Sequence, residues 1–245
     1  MDKRVIKLSV TNCYLIANGN SYLLVDTGYD YEWDLFYRRL AEAGVSFSQI
    51  SHLLLTHHHD DHCGLLNRVI EQNEDIRVIM SQRARDLILG GKNDHAHGGG
   101  YINRRVNLLL SLKKMFDKRW THTFPPYRVR ENDILIEGDT RLSEIGIGIN
   151  GKILETPGHS VDSISLLFDD GDCLVGDAAA NFLQFAGTKY CVIYIEDMEE
   201  YYRSWQKLIA EGSRQIFPAH GSAFPVEKLK QNIGKNNQRN MVMIA

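Results

Sequence analysis

Four histidines crowd one short stretch of this chain, Thr56-His57-His58-His59-Asp60-Asp61-His62. It follows an apolar run, Leu53-Leu54-Leu55, and contains the pattern His-x-His-x-Asp-His. Neutral imidazole and carboxylate suit divalent metals such as Zn²⁺, Mn²⁺ or iron. In an extended segment side chains alternate between faces, so His57, His59 and Asp61 can point the same way. His62 can join them if the chain bends there. A polar, His-rich surface loop is the plain alternative, but loop composition gives no reason for this order.

Three isolated sites supply what that stretch lacks. They are Thr156-Pro157-Gly158-His159-Ser160, Gly176-Asp177 and Pro218-Ala219-His220-Gly221, each a ligand-type residue in a tight, Gly-containing setting. Two metals need about three or four ligands each, and one carboxylate can bridge both. His57, His59, Asp61, His62, His159, Asp177 and His220 fill such a site. With Asn12-Cys13-Tyr14-Leu15-Ile16 and Leu24-Val25-Asp26-Thr27-Gly28 added, the sequence resembles the metallo-β-lactamase superfamily from about residue 10 to about residue 225. The family's metal motifs are all present and in the family's order.

The resemblance implies an α/β fold, a four-layer αββα sandwich, as a single domain over 1–245 with an inserted helical cap at about 90–131. It assigns His57, His59 and His159 to one metal and Asp61, His62 and His220 to the other, with Asp177 bridging. It places Asp26 beneath the site, supporting the metal-loop backbone. The implied chemistry is hydrolysis by a metal-bridging hydroxide formed near neutral pH, with the substrate oxygen polarised. Asp61 is the candidate catalytic acceptor for the nucleophile's proton. The expected cofactors are two divalent ions, zinc first, with manganese or iron as alternatives. The substrate is an ester, thioester, lactone or phosphoester. Two other readings stay open: a mononuclear iron oxygenase of the persulfide dioxygenase type, and a metal-binding regulatory protein with little turnover.

Departures narrow the subgroup. A class B1 β-lactamase has Cys at the Asp177 position, and diiron flavoprotein relatives have Glu at the His59 position. A glyoxalase II carries a C-terminal helical domain, for which the stretch after His220 is too short. Lactonases acting on acyl-homoserine lactones share the metal residues but have a shorter gap before the His159 position. Asp162 stands where many relatives have Gly.

Composition bounds the rest. Of 245 residues, 43% are hydrophobic and 24% charged, which is ordinary for a soluble globular chain. A net charge of −3 gives no global basic field, so no nucleic-acid partner is expected. Cys13, Cys63, Cys173 and Cys191 show no paired spacing and read as reduced, buried thiols of a cytoplasmic protein. No apolar run approaches the roughly 18 residues of a membrane span, and no signal-type segment is visible. The expected partner is a small-molecule substrate, anionic or amphiphilic, with a homodimer left open.

Patterning places these residues on elements. Strands are expected at 5–10, 13–17, 22–25, 51–56, 76–80, 134–136, 142–149, 163–168, 173–175 and 215–217. Helices are expected at 31–43, from 64 to about 71, at 81–89 with Ser81 as N-cap, at 197–210 and from about 226. Gly146-Ile147-Gly148-Ile149-Asn150-Gly151 matches a dinucleotide-binding pattern, but no helix follows it. Asn150-Gly151 between apolar runs signals a hairpin instead. Residues 90–131 break the rhythm. A glycine-rich loop there holds His95 and His97, either a mobile or substrate-contacting loop or a separate metal pair. An amphipathic helix at 103–120 then carries Leu108, Leu109, Leu112, Met115, Phe116 and Trp120 on a broad apolar side. Arg104 and Arg105 are candidate substrate contacts, within a basic set that includes Lys113, Lys114, Lys118 and Arg119 against the lone acid Asp117. A helix docked on the core, a dimer contact or a lipid-surface contact would use the same features.

Overall fold

The computed structural model describes residues 3–94, 98–117, 119 and 121–244. The first half contains β1 (Lys3–Lys7), β2 (Asn12–Asn18), β3 (Ser21–Val25), α1 (Trp33–Glu42), β4 (Ile50–Leu54), α2 (Asp60–Cys63), α3 (Leu66–Gln72), β5 (Arg77–Ser81) and α4 (Ala84–Leu89). The middle contains β6 (Gly100–Tyr101), α5 (Arg104–Phe116), β7 (Ile134–Ile136), β8 (Thr140–Arg141), β9 (Gly151–Glu155) and β10 (Ile164–Phe168). The rest contains β11 (Asp172–Gly176), β12 (Tyr194–Ile195), α6 (Met198–Ala210), β13 (Gln215–Pro218), β14 (Phe224–Pro225), α7 (Glu227–Asn232) and β15 (Val242–Met243).

Two six-stranded sheets form, in the orders β1-β2-β3-β4-β5-β7 and β14-β13-β11-β10-β9-β8. Within them β3, β4, β5 and β7 run parallel to one another, as do β11 and β13. The period of two in a strand decides which core each side chain joins. In β2, Cys13 and Leu15 face α1, α3 and α4, while Tyr14 and Ile16 face the second sheet. In β10, Leu166 and Phe168 face the first sheet, while Leu167 faces the opposite helical layer. Strands buried on both faces read as continuous apolar runs for this reason.

Helices cover both outer faces. Phe36, Leu40, Val69 and Ile88 pack on the first sheet. Tyr201, Trp205, Leu208, Leu229, Val106 and Leu110 pack on the second. The order is helix, sheet, sheet, helix, the αββα arrangement expected. Trp205 is fully buried and its Nε1 donates to the Ala178 carbonyl at 2.5 Å, so the polar end of the largest core side chain is satisfied. Truncating it to Ala would cost about 3–5 kcal/mol. No helix among the described residues is long and apolar enough to cross a membrane.

Several expectations need correction. The apolar alternation over 142–149 is not a strand. Leu142–Ile145 is a 3-10 helix stopped by Gly146 at φ 80°, and after β8 the backbone returns to the sheet only at Gly151. Glu144 holds this turn by accepting from the Arg141 amide. Leu142, Ile147 and Ile149 reach the inter-sheet core from irregular backbone. Ser81 ends β5 rather than capping a helix, and its hydroxyl accepts from the Arg83 amide just before α4.

Helix α5 stops at Phe116, where Asp117 turns extended, rather than at 120. Its N-cap is Asn103, whose side chain accepts from the Arg105 and Val106 amides at 2.9 and 3.0 Å. The expected apolar side does not dock as one face. Val106 and Leu110 are buried and Leu109 partly so, whereas Leu108, Leu112, Met115 and Phe116 are exposed. Trp120 and Lys118 lie outside the described residues, as do His95 and His97. A third sheet, β12-β6-β15, was not foreseen, because its two-residue strands carry no periodicity.

Candidate metal centre

The ligand-type residues stand at the C-terminal ends of strands. The loop after β4 carries His57 and His59. The single turn of α2 provides the bend that brings Asp61 and His62 back toward them. His159 follows β9, Asp177 follows β11, and His220 follows β13. Close approach fixes two of these loops. Gly158 sits at φ 124° where a Cβ would run into the Tyr201 backbone, and Gly176 sits at φ 51° where a Cβ would meet Thr56 Oγ1 at 2.5 Å.

The side chains converge into three overlapping trios: His57, His59 and His159; His57, His62 and Asp177; and Asp61, His62 and His220. Within each trio the ligating atoms lie within 4.8 Å of one another. His159 Nε2 is 3.1 Å from His57 Nε2 and 2.9 Å from His59 Nδ1. The Asp177 oxygens divide between the two ends. Oδ2 lies 3.5 Å from His159 Nε2, and Oδ1 lies 3.5 Å from His62 Nε2 and 3.2 Å from His220 Nε2.

The outer nitrogens set the inner ones. His62 Nδ1 donates to Asp26 Oδ2, His159 Nδ1 to the Tyr194 carbonyl and His220 Nδ1 to the Val10 carbonyl, each at 2.9 Å. Thr56 Oγ1 donates to Asp26 at 2.9 Å and so accepts from His57 Nδ1 at 3.1 Å. In the neutral imidazoles these bonds leave Nε2 as a bare acceptor pointing into the centre. Bare acceptors about 3 Å apart repel unless a cation lies between them. His62 Nε2 and Asp177 Oδ1 are buried without a hydrogen-bond partner. The donor set therefore fits divalent ions.

Protonation follows the same division. Burial, then neighbouring histidines, hold His57 and His59 well below the usual imidazole range. Burial also lowers His159, although Asp177 opposes it. Burial would lower His220 too, but Asp177 and Asp61 outweigh it and raise it to about 10. Burial would raise Asp61, but His62 and His220 outweigh it and hold it low, so it stays ionised. One end of the metal-free centre is thus a neutral imidazole cluster and the other an ion-paired network.

A family model described as the metallo-beta-lactamase superfamily matches residues 6–220. The chain belongs to the metallo-beta-lactamase superfamily. A beta-lactamase-like protein 2 homolog of Drosophila melanogaster is 25% identical over 244 residues, covering 95% of this chain and 66% of that protein. The chain thus spans just under two thirds of that relative's length. A probable metallo-hydrolase of Bacillus subtilis (strain 168) is 26% identical over 248 residues, covering 92% and 72%. An atrochrysone carboxyl ACP thioesterase of Aspergillus terreus is 26% identical over 175 residues, covering 69% and 48%. Among solved structures, a metallo-beta-lactamase family protein from Thermus thermophilus has the same fold. It superposes with TM-score 0.66 at 19% identity, over 95% of this chain and 78% of that one.

Around the superfamily's centre, the other singled-out residues fall into place. Asp26 touches the metal loop and lies outside the three trios; besides His62 it accepts from the Thr56 amide at 2.9 Å. His58 points away. Its Nδ1 donates to Asp162 Oδ1 at 2.9 Å, and its Nε2 accepts from the Asp94 amide at 3.1 Å. Asp162 is therefore the buried partner of His58. Asp60 is buried and bonds to a neighbouring loop. Asn93 Nδ2 donates to its carboxylate and Asn93 Oδ1 accepts from its amide, both at 2.8 Å. Cys63 is buried and donates to the His58 carbonyl. All four cysteines are free and buried.

A cavity of about 300 Å³ opens onto His59, Asp61, His159, Asp177 and His220. Its other walls are mostly apolar, among them Leu109, Leu110, Phe182, Phe185, Val192 and Ile193. Arg104 and Arg105 do not line it. They are exposed on the first turn of α5, and the lysine two turns on, Lys113, lines the cavity instead. Sequence reasoning also passed over Tyr29, Tyr101, Phe182 and Phe185. They come from segments far apart in the chain, and no spacing rule links them.

Proposed function

We propose that this chain is a binuclear metal-dependent hydrolase. His57, His59 and His159 would hold one divalent ion, Asp61, His62 and His220 would hold the other, and Asp177 would serve both. The observation that carries this is the division of the Asp177 oxygens between the two ends of the centre. When bound, the ions supply a water activated near neutral pH and polarise the substrate oxygen. The His and Asp donors suit zinc first, then manganese or iron. Asp26 and Thr56 fix the ring orientation of His62 and His57. Asp61 borders the cavity and is ionised, so it can take the nucleophile's proton. The Asp61, His62 and His220 group supports two metals over a mononuclear oxygenase.

The lining of the cavity supports a reading of the substrate class. Lys113 is the one Lys or Arg among its described lining residues, and most of the wall is apolar. A substrate with an apolar body and one anionic group complements that lining. Of the candidate bonds, a thioester is the first to test, because a relative described as a thioesterase matches this chain. The test is a panel of carboxylic esters, thioesters, lactones and phosphoesters, each with short and long apolar chains, on protein of measured metal content. Turnover that favours a long-chain anionic thioester, and is lost with the metal, supports the proposal. A metal-loaded protein that hydrolyses none of them contradicts it.

A further inference from the structure

Helix α5 is apolar on two sides. Val106 and Leu110 face the core. On the other side Leu108 is 61% exposed, Leu112 46%, Met115 72% and Phe116 85%. Their spacing of i, i+4, i+7 and i+8 sets them in one outward stripe. A helix that only covered the core would carry polar residues there. Instead, Arg104 and Arg105 stand at the start of this stripe.

The apolar surface continues beyond the helix. Asn103 Nδ2 donates to the Ala186 carbonyl at 3.1 Å, which clamps the start of α5 to the 3-10 turn Gln184–Ala186. Phe185 on that turn is 76% exposed, and Phe182 beside it is also exposed. Both line the cavity at the metal centre. Exposed apolar side chains therefore run from α5 to the cavity mouth.

We propose that this face docks on an anionic lipid bilayer surface. The stripe enters the headgroup layer, and the basic residues meet lipid phosphates. Charge selects the bilayer over a second copy of the chain. The protein's net charge is −3, yet Arg104 and Arg105 both stand on this outward side of α5. The acid within this segment, Asp117, is bonded to Arg119 at 3.1 Å. A two-fold dimer through this patch would set its positive charge against itself. Anionic lipid neutralises it.

The test is flotation of the whole chain with phosphatidylcholine vesicles, with and without phosphatidylglycerol, at low and high salt. This readout needs no turnover, so it stands or falls separately from the hydrolase proposal. The expected result is binding only to the vesicles containing phosphatidylglycerol, weakened by salt. The pair Arg104→Gln and Arg105→Gln should weaken binding roughly 25-fold, at about fivefold per cation. Phe116→Ser should weaken it about tenfold. Both changes lie on exposed positions and should leave the melting temperature unchanged. Absence of binding, or equal binding to both vesicles, would overturn the proposal. So would a concentration-dependent dimer that Phe116→Ser disrupts and vesicles leave intact.

Discussion

At the residue scale, hydrogen bonds on the far side of each imidazole decide which nitrogen faces the centre. Asp177 serves both ends, whereas His58 is tied to Asp162 and the Asp94 amide. Asp177→Ala should therefore remove at least one metal and lower the rate by more than about 100-fold, while His58→Ala should cost less than about tenfold. Equal metal content and rate in the two variants would show that the ligand assignment is wrong. Glu196 offers a test of burial itself. Burial first, then Asp162 and Asp94, raise its carboxyl to about 8. The folded chain then binds this proton where the unfolded chain has lost it. Stability should fall by up to roughly 1.4 kcal/mol per pH unit as pH rises from the ordinary carboxylate range to about 8. Chemical denaturation of Glu196→Gln should lack that slope; a slope matching wild type would disprove the shift. The ligand-type residues were legible in the sequence, because each stands in a short motif. The Glu196 environment was not, since Asp162 and Asp94 reach it only through the fold.

At the scale of elements, parallel strands place loops at one edge, and glycines let those loops approach closely. This much was readable from apolar runs ending in His or Asp. Helix α5 was harder. Its apolar residues give the same spacing whether they face the core or solvent, so the pattern 108, 109, 112, 115 and 116 could not say which side docks. Lys113 emerged as the cavity's cation only once Val106 and Leu110 fixed the helix rotation. Lys113→Gln should raise KM for an anionic substrate roughly tenfold, leave a neutral analogue unaffected, and flatten the salt dependence. Arg104→Glu with Arg105→Glu should leave KM for a freely soluble substrate within about twofold, because electrostatic effects on exposed groups away from the cavity are screened. The opposite ranking would return the substrate contact to the first turn. Asn103 both caps α5 and bonds Ala186, so Asn103→Ala should cost about 1–2 kcal/mol in chemical denaturation.

At the scale of the whole molecule, the first sheet presents His57, His59, Asp61 and His62, and the second presents His159, Asp177 and His220. A metal pair bound among them would tie the sheets together. Removing it with a chelator should lower the melting temperature by roughly 10 °C, from about 4 kcal/mol of linkage at a metal concentration about 1,000 times the dissociation constant. The αββα order was legible through the family resemblance, while the third sheet and the 3-10 turn at Leu142–Ile145 depend on packing rather than pattern. The seven converging side chains are proposed to hold two ions. Elemental analysis of protein purified after growth with added zinc, manganese and iron measures this directly. About two tightly bound divalent ions per chain are expected, falling to one or none in Asp177→Ala; one or fewer in the wild type would rule out the binuclear centre.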